Sequence, residues 1–122
     1  MPQVFASSFA TKSSTASENR SLLSPATMVG SNKWAKTYAG KQAVIGELFA
    51  ALRRKMDRVT TIAHRFIAEG DLVVVEARGA NTTKVGLPYC NTYCFVFRLA
   101  DGKLAEVTEY MDSELASVLG DP

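Results

Sequence analysis

Four β-rich runs, separated by turns or a polar connection, fill the second half of the chain and constrain its fold most strongly. The runs are 59–68, 72–80, 89–99 and 104–111. The breaks between them contain Gly70, Gly86 and Gly102, and glycine is typical of tight turns. Strands that follow one another through such short turns pair as neighbours, so the sequence predicts an antiparallel meander.

The part of the chain before these strands contains one strong helical pattern, at 40–56. Apolar residues recur there every three or four positions and form one stripe, which is typical of a helix that packs on a core. The stripe consists of Val44, Ile45, Leu48, Phe49, Leu52 and Met56. Helices followed by a run of antiparallel strands indicate the α+β class.

Weaker patterns complete the predicted secondary structure. The segment 1–20 is expected to be poorly ordered or an imperfect first helix, and 18–23 a short helix that ends before Pro25. The helical spacing within the first segment comes from Val4, Phe5 and Phe9. A turn is expected at 30–33, with Trp34 and Tyr38 in the loop after it. Asp112 is expected to cap a short terminal helix.

Length and composition limit the class of protein. With 122 residues, the chain is expected to form a single domain over 1–122. A net charge of +2 does not indicate a nucleic-acid partner, and the basic group at 53–55 suits the end of a helix, where cations favour the dipole. No apolar run approaches the ~20 residues that span a bilayer, and no secretory signal is evident. We therefore expect a cytoplasmic protein with no membrane partner.

Cys90 and Cys94 both fall in the predicted strand at 89–99. Four residues of a strand span about 13 Å, whereas the Cα atoms of a disulfide lie roughly 6 Å apart. Two free thiols are therefore expected, which fits a reducing compartment. The single histidine, His64, and these cysteines match no metal-ligand spacing, so neither a metal nor another cofactor is expected.

Alternation along the strands predicts which side chains turn inward. The ring-bearing face of 89–99 is expected to pack on the helix, and it consists of Tyr89, Asn91, Tyr93, Phe95 and Phe97. In 104–111, Glu109 shares a face with Val107 and Met111. If that face also turns inward, Glu109 enters an apolar interior, where a carboxyl group must find a partner or stay protonated.

Two interpretations of Glu109 remain open at this point. It lines a pocket for catalysis or binding, or it reaches the rim or pairs with a base such as Arg65 or Lys103. Buried carboxyl groups with a shifted pKa are typical of acid–base catalysis. Glu76 and Arg78 alternate with the inward residues and are expected to form surface ion pairs.

Three segments together resemble a known family. They read YAGKQAVIGELF, AEGDLVVVEARG and GLPYCNTYCFVFRLADGKLAEVTEYMD. In order and spacing they resemble the SnoaL-like polyketide cyclases and ketosteroid isomerase-like proteins of the nuclear transport factor 2-like superfamily, to which limonene-epoxide hydrolase is related. The resemblance implies a cone-shaped, cystatin-like α+β barrel: a curved antiparallel sheet wrapped around N-terminal helices, with a pocket at the open end.

The resemblance implies partners and chemistry as well. Many such proteins form homodimers through the outer sheet surface, and the corresponding residues here are Cys90, Thr92, Cys94, Val96 and Tyr110. The Asp–Arg–Asp set of the epoxide hydrolases falls on Ala77, Gly79 and Glu109, so only one acid is kept. The protonated aspartate of the isomerases falls on Phe95, and their base would lie within 28–31, where no carboxylate is present.

The predicted site has three candidate catalytic residues. Glu109 is expected to act as general acid or base, with Tyr93 and Asn91 as hydrogen-bonding groups. The expected wall for a small apolar organic ligand consists of Trp34, Tyr38, Val75, Tyr89, Phe95, Phe97, Val107 and Met111. Two functions follow: an isomerase, cyclase or hydrolase, or a non-catalytic binding or dimerising module, which the missing carboxylates favour.

Overall fold

The structure is a computed structural model and describes residues 3–4 and 25–122. The helix expected at 18–23, and Phe5 and Phe9 of the expected first helix, lie outside the described residues. Val4 belongs instead to a short strand, β1 (Gln3–Val4), in which it pairs with Ile62. The helical prediction is wrong at Val4, where pairing with a sheet edge outweighs a weak helical spacing and suits a β-branched residue.

The other strands confirm the α+β fold, with a large curved sheet. They are β2 (Ala26–Val29), β3 (Thr37–Tyr38), β4 (Thr61–Glu69), β5 (Leu72–Gly79), β6 (Asn81–Thr82), β7 (Pro88–Tyr89), β8 (Thr92–Ala100) and β9 (Lys103–Met111). The large sheet has the order β1-β4-β5-β8-β9-β2-β3. Its pairs are antiparallel except β2 with β9, which are parallel. The prediction of a loop at Tyr38 is wrong, because this residue pairs with Ala26 in β3.

The hairpin turns lie where the glycine pattern predicts them. Between β8 and β9, Asp101 and Gly102 both have positive φ angles, 53° and 73°. Two positive φ angles define the turn that matches the twist of a two-residue hairpin, and Asp-Gly is a favoured sequence for it. Beyond this turn, an irregularity between Arg98 and Leu99 shifts the pairing by one residue, and the shifted register sets Phe95 opposite Glu109.

The strand predicted at 89–99 is divided in the structure. Its first residue, Tyr89, pairs in a separate two-stranded sheet of β6 and β7, and β8 begins only at Thr92. Cys90 and Asn91 lie in the break, where the Asn91 side chain accepts a hydrogen bond from the Thr92 backbone N–H. Both cysteines are free thiols, but the argument from one continuous strand is wrong.

The helix predicted at 40–56 is present as one continuous helix, α1. It consists of an α-helical turn (Lys41–Ala43), a π-helical segment (Val44–Phe49) and an α-helical segment (Ala50–Lys55). The helix starts after Gly40, whose φ of 88° strains any residue with a Cβ atom. A π-helical turn contains more residues than an α-helical one and often occurs at functional sites.

A short C-terminal helix, α2 (Ser113–Ala116), follows β9 and continues as a 3₁₀ turn (Ser117–Leu119). Asp112 caps it as expected, since its carboxylate accepts from the backbone N–H groups of Glu114 and Leu115, each at 3.1 Å. The Trp34 indole N–H donates to the Gly120 carbonyl at 2.7 Å. The turn at 31–34 therefore holds the C-terminal segment against the sheet.

Candidate functional site

A cavity of about 100 Å³ lies between the sheet, α1 and α2. The helix α1 contributes Leu48, Phe49, Leu52 and Arg53, and the C-terminal segment contributes Ala116 and Leu119. The sheet and its connections contribute Met28, Trp34, Met56, Val59, Thr61, Tyr89, Tyr93, Phe95, Glu109 and Met111. Apolar groups make up most of this wall, with a few polar groups among them, which is the usual composition of a small-molecule site.

A second, smaller cavity of about 50 Å³ adjoins the first. The two share the side chains of Met28, Leu48, Phe49, Phe95 and Glu109 as walls. The smaller cavity is otherwise lined by Ala26, Thr27, Val44 and Val107. The Glu109 side chain thus borders both cavities, with a nearly apolar compartment on one side of it.

Strand pairing sets the position of Glu109. It lies opposite Phe95 of β8 and beside Met28 of β2, and both of these neighbours are buried. Within the described residues the carboxyl group has no hydrogen-bond or ion-pair partner. Burial raises the pKa of Glu109 to about 8. The side chain nevertheless keeps some accessible surface, because it faces the two cavities.

The pairing of Glu109 with a base, one of the two interpretations of the sequence, does not occur. Arg65 is bound to Glu76 on the outer face of the sheet. Lys103 lies at the opposite end of β9 from Glu109. The expected surface ion pair is present for Glu76, whereas Arg78 is exposed and is not the partner of Glu76.

Two tyrosines lie beside Glu109. The Tyr93 ring stacks on Phe95, with 5.3 Å between the ring centroids, and lies close to Tyr89. Burial, followed by the neighbouring Tyr89 and Glu109, raises the pKa of Tyr93. Burial also raises the pKa of Tyr89. Both phenols therefore stay protonated over the physiological range and can donate hydrogen bonds.

Asn91 lies behind the tyrosines, fully buried and outside both cavity walls. Its amide nitrogen donates to the Tyr89 hydroxyl oxygen at 2.8 Å and to the Asp112 carbonyl at 3.0 Å. Its amide oxygen accepts from the backbone N–H groups of Thr92 at 2.8 Å and Asp112 at 3.3 Å. All the polar atoms of this side chain are therefore engaged with the protein itself.

The structure brings together some of the sequence-predicted ligand residues and separates others. Trp34, Tyr89, Phe95 and Met111 line the larger cavity, and Val107 lines the smaller one. Val75 and Phe97 are buried in the core and border neither cavity, nor does Tyr38. The Tyr38 ring is instead covered by the Lys36 ammonium, 4.8 Å from the ring centroid.

Several lining residues were missed at the level of sequence. The stripe on α1 predicts core packing, and the same side chains also line the cavity, including Leu48, Phe49 and Leu52. The π-helical segment sets two consecutive residues, Leu48 and Phe49, against this space. Met28 belongs to a strand that the sequence pattern does not reveal, and the pattern at 53–55 indicates only a helix end for Arg53.

Residues 25–122 meet neither the requirements of a membrane-spanning helix nor those of a metal site with three protein ligands. Their helices are all too short or too polar to cross a bilayer, and their His, Cys, Asp and Glu side chains form no group of three that could hold a metal ion. His64 lies at an irregularity of β4, between Ala63 and Arg65, and borders a shallow depression on the outer face together with Glu76 and Cys94.

The fold and the cavity define a class: α+β proteins in which a curved sheet encloses an apolar cavity with a buried acid. Structural comparison agrees on the fold. A protein with a ketosteroid isomerase-like fold from Catenulispora acidiphila, in complex with trimethylamine, has a TM-score of 0.74 at 16% identity, covering 97% of this chain and 90% of its own. A nuclear transport factor 2-like protein from Burkholderia thailandensis has a TM-score of 0.73 at 20% identity, covering 96% and 94%.

A third structure, a nuclear transport factor 2-like protein from Burkholderia xenovorans, has a TM-score of 0.71 at 16% identity, covering 96% of this chain and 89% of its own. At these identities the likeness establishes the fold alone. The profile of the SnoaL-like domain matches residues 18–107, most of the chain, so the chain belongs to the SnoaL-like domain family. No functionally curated protein matches it in sequence.

Proposed function

We propose that this SnoaL-like domain, over 1–122, binds a small and mainly apolar organic molecule in the two adjoining cavities and transforms it by proton transfer at Glu109. The reaction class is isomerisation, cyclisation or hydration. The observation that carries the proposal is the unpartnered Glu109 carboxyl group, which borders both cavities at once. An acid without a partner among the described residues, facing a space of ligand size, is available to a substrate.

The raised pKa of Glu109 determines how it would act. At pH 7 the Glu109 carboxyl group is protonated in most molecules, because its pKa is about 8. Glu109 would then donate its proton to a developing alkoxide or enolate, and the resulting carboxylate would take a proton back from the substrate carbon or from water. A pKa near the operating pH supports both halves of this exchange.

The two tyrosines would assist at the substrate oxygen. Tyr93 and Tyr89 stay protonated and line the larger cavity beside Glu109. A phenolic hydroxyl that faces a carbonyl oxygen stabilises the negative charge that develops there. Asn91 would contribute indirectly, because its amide holds the Tyr89 oxygen at 2.8 Å. It is therefore a positioning residue in this proposal.

Removal of the acid should abolish the chemistry while leaving the binding intact. We expect Glu109→Gln to lower kcat by at least about 100-fold, since a positioned acid–base group contributes about that much or more. The assay follows exchange of solvent deuterium into the α-carbon of small cyclic ketones such as cyclohexenone by NMR. Binding is followed by the fluorescence of Trp34, the single tryptophan, which lines the cavity.

The matched control for this variant is Glu106→Gln. Glu106 lies three residues earlier in β9 and forms an ion pair with Arg98 at 2.9 Å. This variant should keep the exchange rate of the unmodified protein. An unchanged kcat in Glu109→Gln, with exchange present in the unmodified protein, would end the catalytic role of Glu109.

A second candidate function is a non-catalytic binding module. The observation that favours it is that Glu109 is the only carboxylate or imidazole group among the described cavity walls. A single carboxyl group, without a second acid or an imidazole beside it, limits the reactions that the site can complete. This alternative predicts that cyclohexenone raises the melting temperature and is recovered without deuterium at its α-carbon.

We also propose a cytoplasmic homodimer that joins through the outer face of the sheet. A row without charge crosses this face from Ile67 through Val74 and Val96 to Thr108, and Ile67 is 53% exposed. Tyr110, 47% exposed, lies beside this row, and the predicted interface residues Thr92 and Cys94 lie on β8. An exposed apolar strip on a sheet is typical of a protein–protein contact.

A charge placed in the centre of that strip should separate the subunits. We expect Val96→Lys to raise the dissociation constant of the dimer at least about tenfold, because two ammonium groups would meet near the symmetry axis. Sedimentation velocity over a concentration series measures the constant. The control is Val85→Lys, on a loop where the side chain is 82% exposed. A monomeric unmodified protein, or equal effects of both changes, would contradict the interface.

A further inference from the structure

Arg53 is a charged residue of the cavity wall that the proposed chemistry does not use. It lies in the last turn of α1, next to Arg54 and Lys55. A basic cluster at this end of a helix is favoured by the dipole, whichever of its members faces the sheet. Of the three, only Arg53 borders the larger cavity, and its side chain is also exposed to solvent. Arg53 therefore stands at the mouth.

The charge of Arg53 is not neutralised within the described part of the chain. Two carboxylates close to it in sequence have other partners: Asp57 pairs with Lys84 at 3.7 Å, and Glu47 pairs with Lys36 at 3.5 Å. Glu109, the acidic member of the cavity wall, carries little charge at neutral pH because of its raised pKa. The fixed charge among the described wall residues is thus positive, and it lies at the entrance.

The interior of the two cavities is more apolar than the mouth at Arg53. The smaller one is lined by apolar side chains apart from Thr27 and Glu109. A ligand that fills both cavities would therefore place its apolar body in the interior, with the reacting atoms beside Glu109. The group nearest Arg53 would stay partly hydrated, so a charge on it would escape most of the cost of burial.

We propose that the ligand of this site is an amphipathic organic anion, whose apolar body fills the two cavities and whose carboxylate group remains at the mouth, on Arg53. The inference rests on the proposed function, because it assigns a substrate class to the same site. An arginine guanidinium suits a carboxylate in particular, since its planar donors can form two parallel hydrogen bonds with the two oxygens.

The test compares two probes of nearly equal shape, cyclohexanecarboxylate and the uncharged cyclohexanecarboxamide. Binding is measured by calorimetry and by Trp34 fluorescence at low salt. We expect the unmodified protein to bind the carboxylate at least about fivefold more tightly than the amide. In Arg53→Gln the preference should disappear, with the affinity for the amide unchanged. Raising the salt to about 0.5 M should weaken the preference of the unmodified protein, because the interaction is partly exposed.

Arg54→Gln is the matched control. It removes the same charge from the next residue, whose side chain does not line the cavity. It should keep the preference for the carboxylate. Equal affinities for the two probes, or equal losses in the two variants, would overturn this inference and leave the proposed function standing. If the unmodified protein binds neither probe up to about 10 mM, a concentration at which even weak ligands bind, the proposed site itself is contradicted as well.

Discussion

Glu109→Gln is expected to stabilise the fold by about 3 kcal/mol at pH 7 and by up to about 4–5 kcal/mol above pH 9. The reason is burial, which raises the pKa of this carboxyl group from 4.5 to about 8. The unfolded chain loses its proton near pH 4.5, whereas the folded chain keeps it until pH 8. Glutamine has nearly the same shape and never ionises. It therefore avoids both the cost of protonating the acid on folding and the cost of burying its charge.

The pH dependence has a definite sign. Below pH 4.5 both states of the unmodified protein are protonated at position 109, and the advantage of the variant should vanish. Between pH 4.5 and 8 the folded state binds more protons than the unfolded state, so the free energy of unfolding of the unmodified protein falls as the pH rises. Above pH 8 both states are ionised at this position, and the difference stays constant.

Three other titrating side chains and one fixed charge lie around the Glu109 carboxyl group. Tyr38, Tyr89 and Tyr93 have pKa values raised by burial, so they stay neutral throughout the window from pH 4.5 to 8. Arg53 stays charged throughout. The titration observed between pH 4.5 and 8 in the difference between the two proteins therefore belongs to Glu109.

Urea denaturation at pH 4, 7 and 9 measures this effect for both proteins. Glu106→Gln provides the control, because it removes an acid from the outer face of the same strand. Its ion pair with Arg98 is partly exposed, so the change should stay below about 1 kcal/mol. A Glu109→Gln advantage of equal size at pH 4 and pH 9 would contradict a buried, protonated acid.

The main strands could be predicted because local patterns determine them. Alternation and Asp-Gly chemistry fix β8, β9 and their turn, and the parity of β9 carries Glu109 to the cavity side. The short strand β2 could not be predicted, because it has only four residues and pairs with β9, about 80 residues away in sequence. The wall residue Met28 depends on that distant pairing.

Only part of the candidate site could be predicted, for a similar reason. An apolar stripe such as that of α1 has the same sequence pattern whether it fills a core or borders a cavity, because the difference depends on how closely the sheet approaches. Val75 and Phe97 satisfy the inward parity of their strands and are buried, but they line neither of the two cavities described. Parity determines the face on which a side chain lies and leaves open whether it contacts protein or a ligand.

Asn91 is the clearest case of an inward-facing side chain that contacts only protein. Asn91→Ala is expected to destabilise the fold by about 3–4 kcal/mol. The substitution removes four hydrogen bonds of a fully buried amide. It removes the side-chain acceptor of the backbone N–H groups of Thr92 and Asp112.

The consequence for function should be indirect. Without the amide, the Tyr89 hydroxyl loses the donor that fixes its oxygen, so the tyrosine pair beside Glu109 becomes less well oriented. At a temperature where the variant is still folded, we expect kcat for the exchange reaction to fall about tenfold, less than for Glu109→Gln, with an unchanged pH profile. Thr92→Ala, in which an exposed neighbour is changed, should cost less than about 1 kcal/mol.

Urea denaturation and the deuterium-exchange assay on the same samples distinguish the two roles of Asn91. A loss of stability of about 3 kcal/mol with a modest loss of rate would establish a positioning residue. A variant within about 1 kcal/mol of the unmodified protein whose rate falls as far as that of Glu109→Gln would instead mean that the amide contacts the reacting atoms. That result would contradict the hydrogen-bond network of the Asn91 amide. An amide with all its polar atoms bound inside the fold has none left for a substrate.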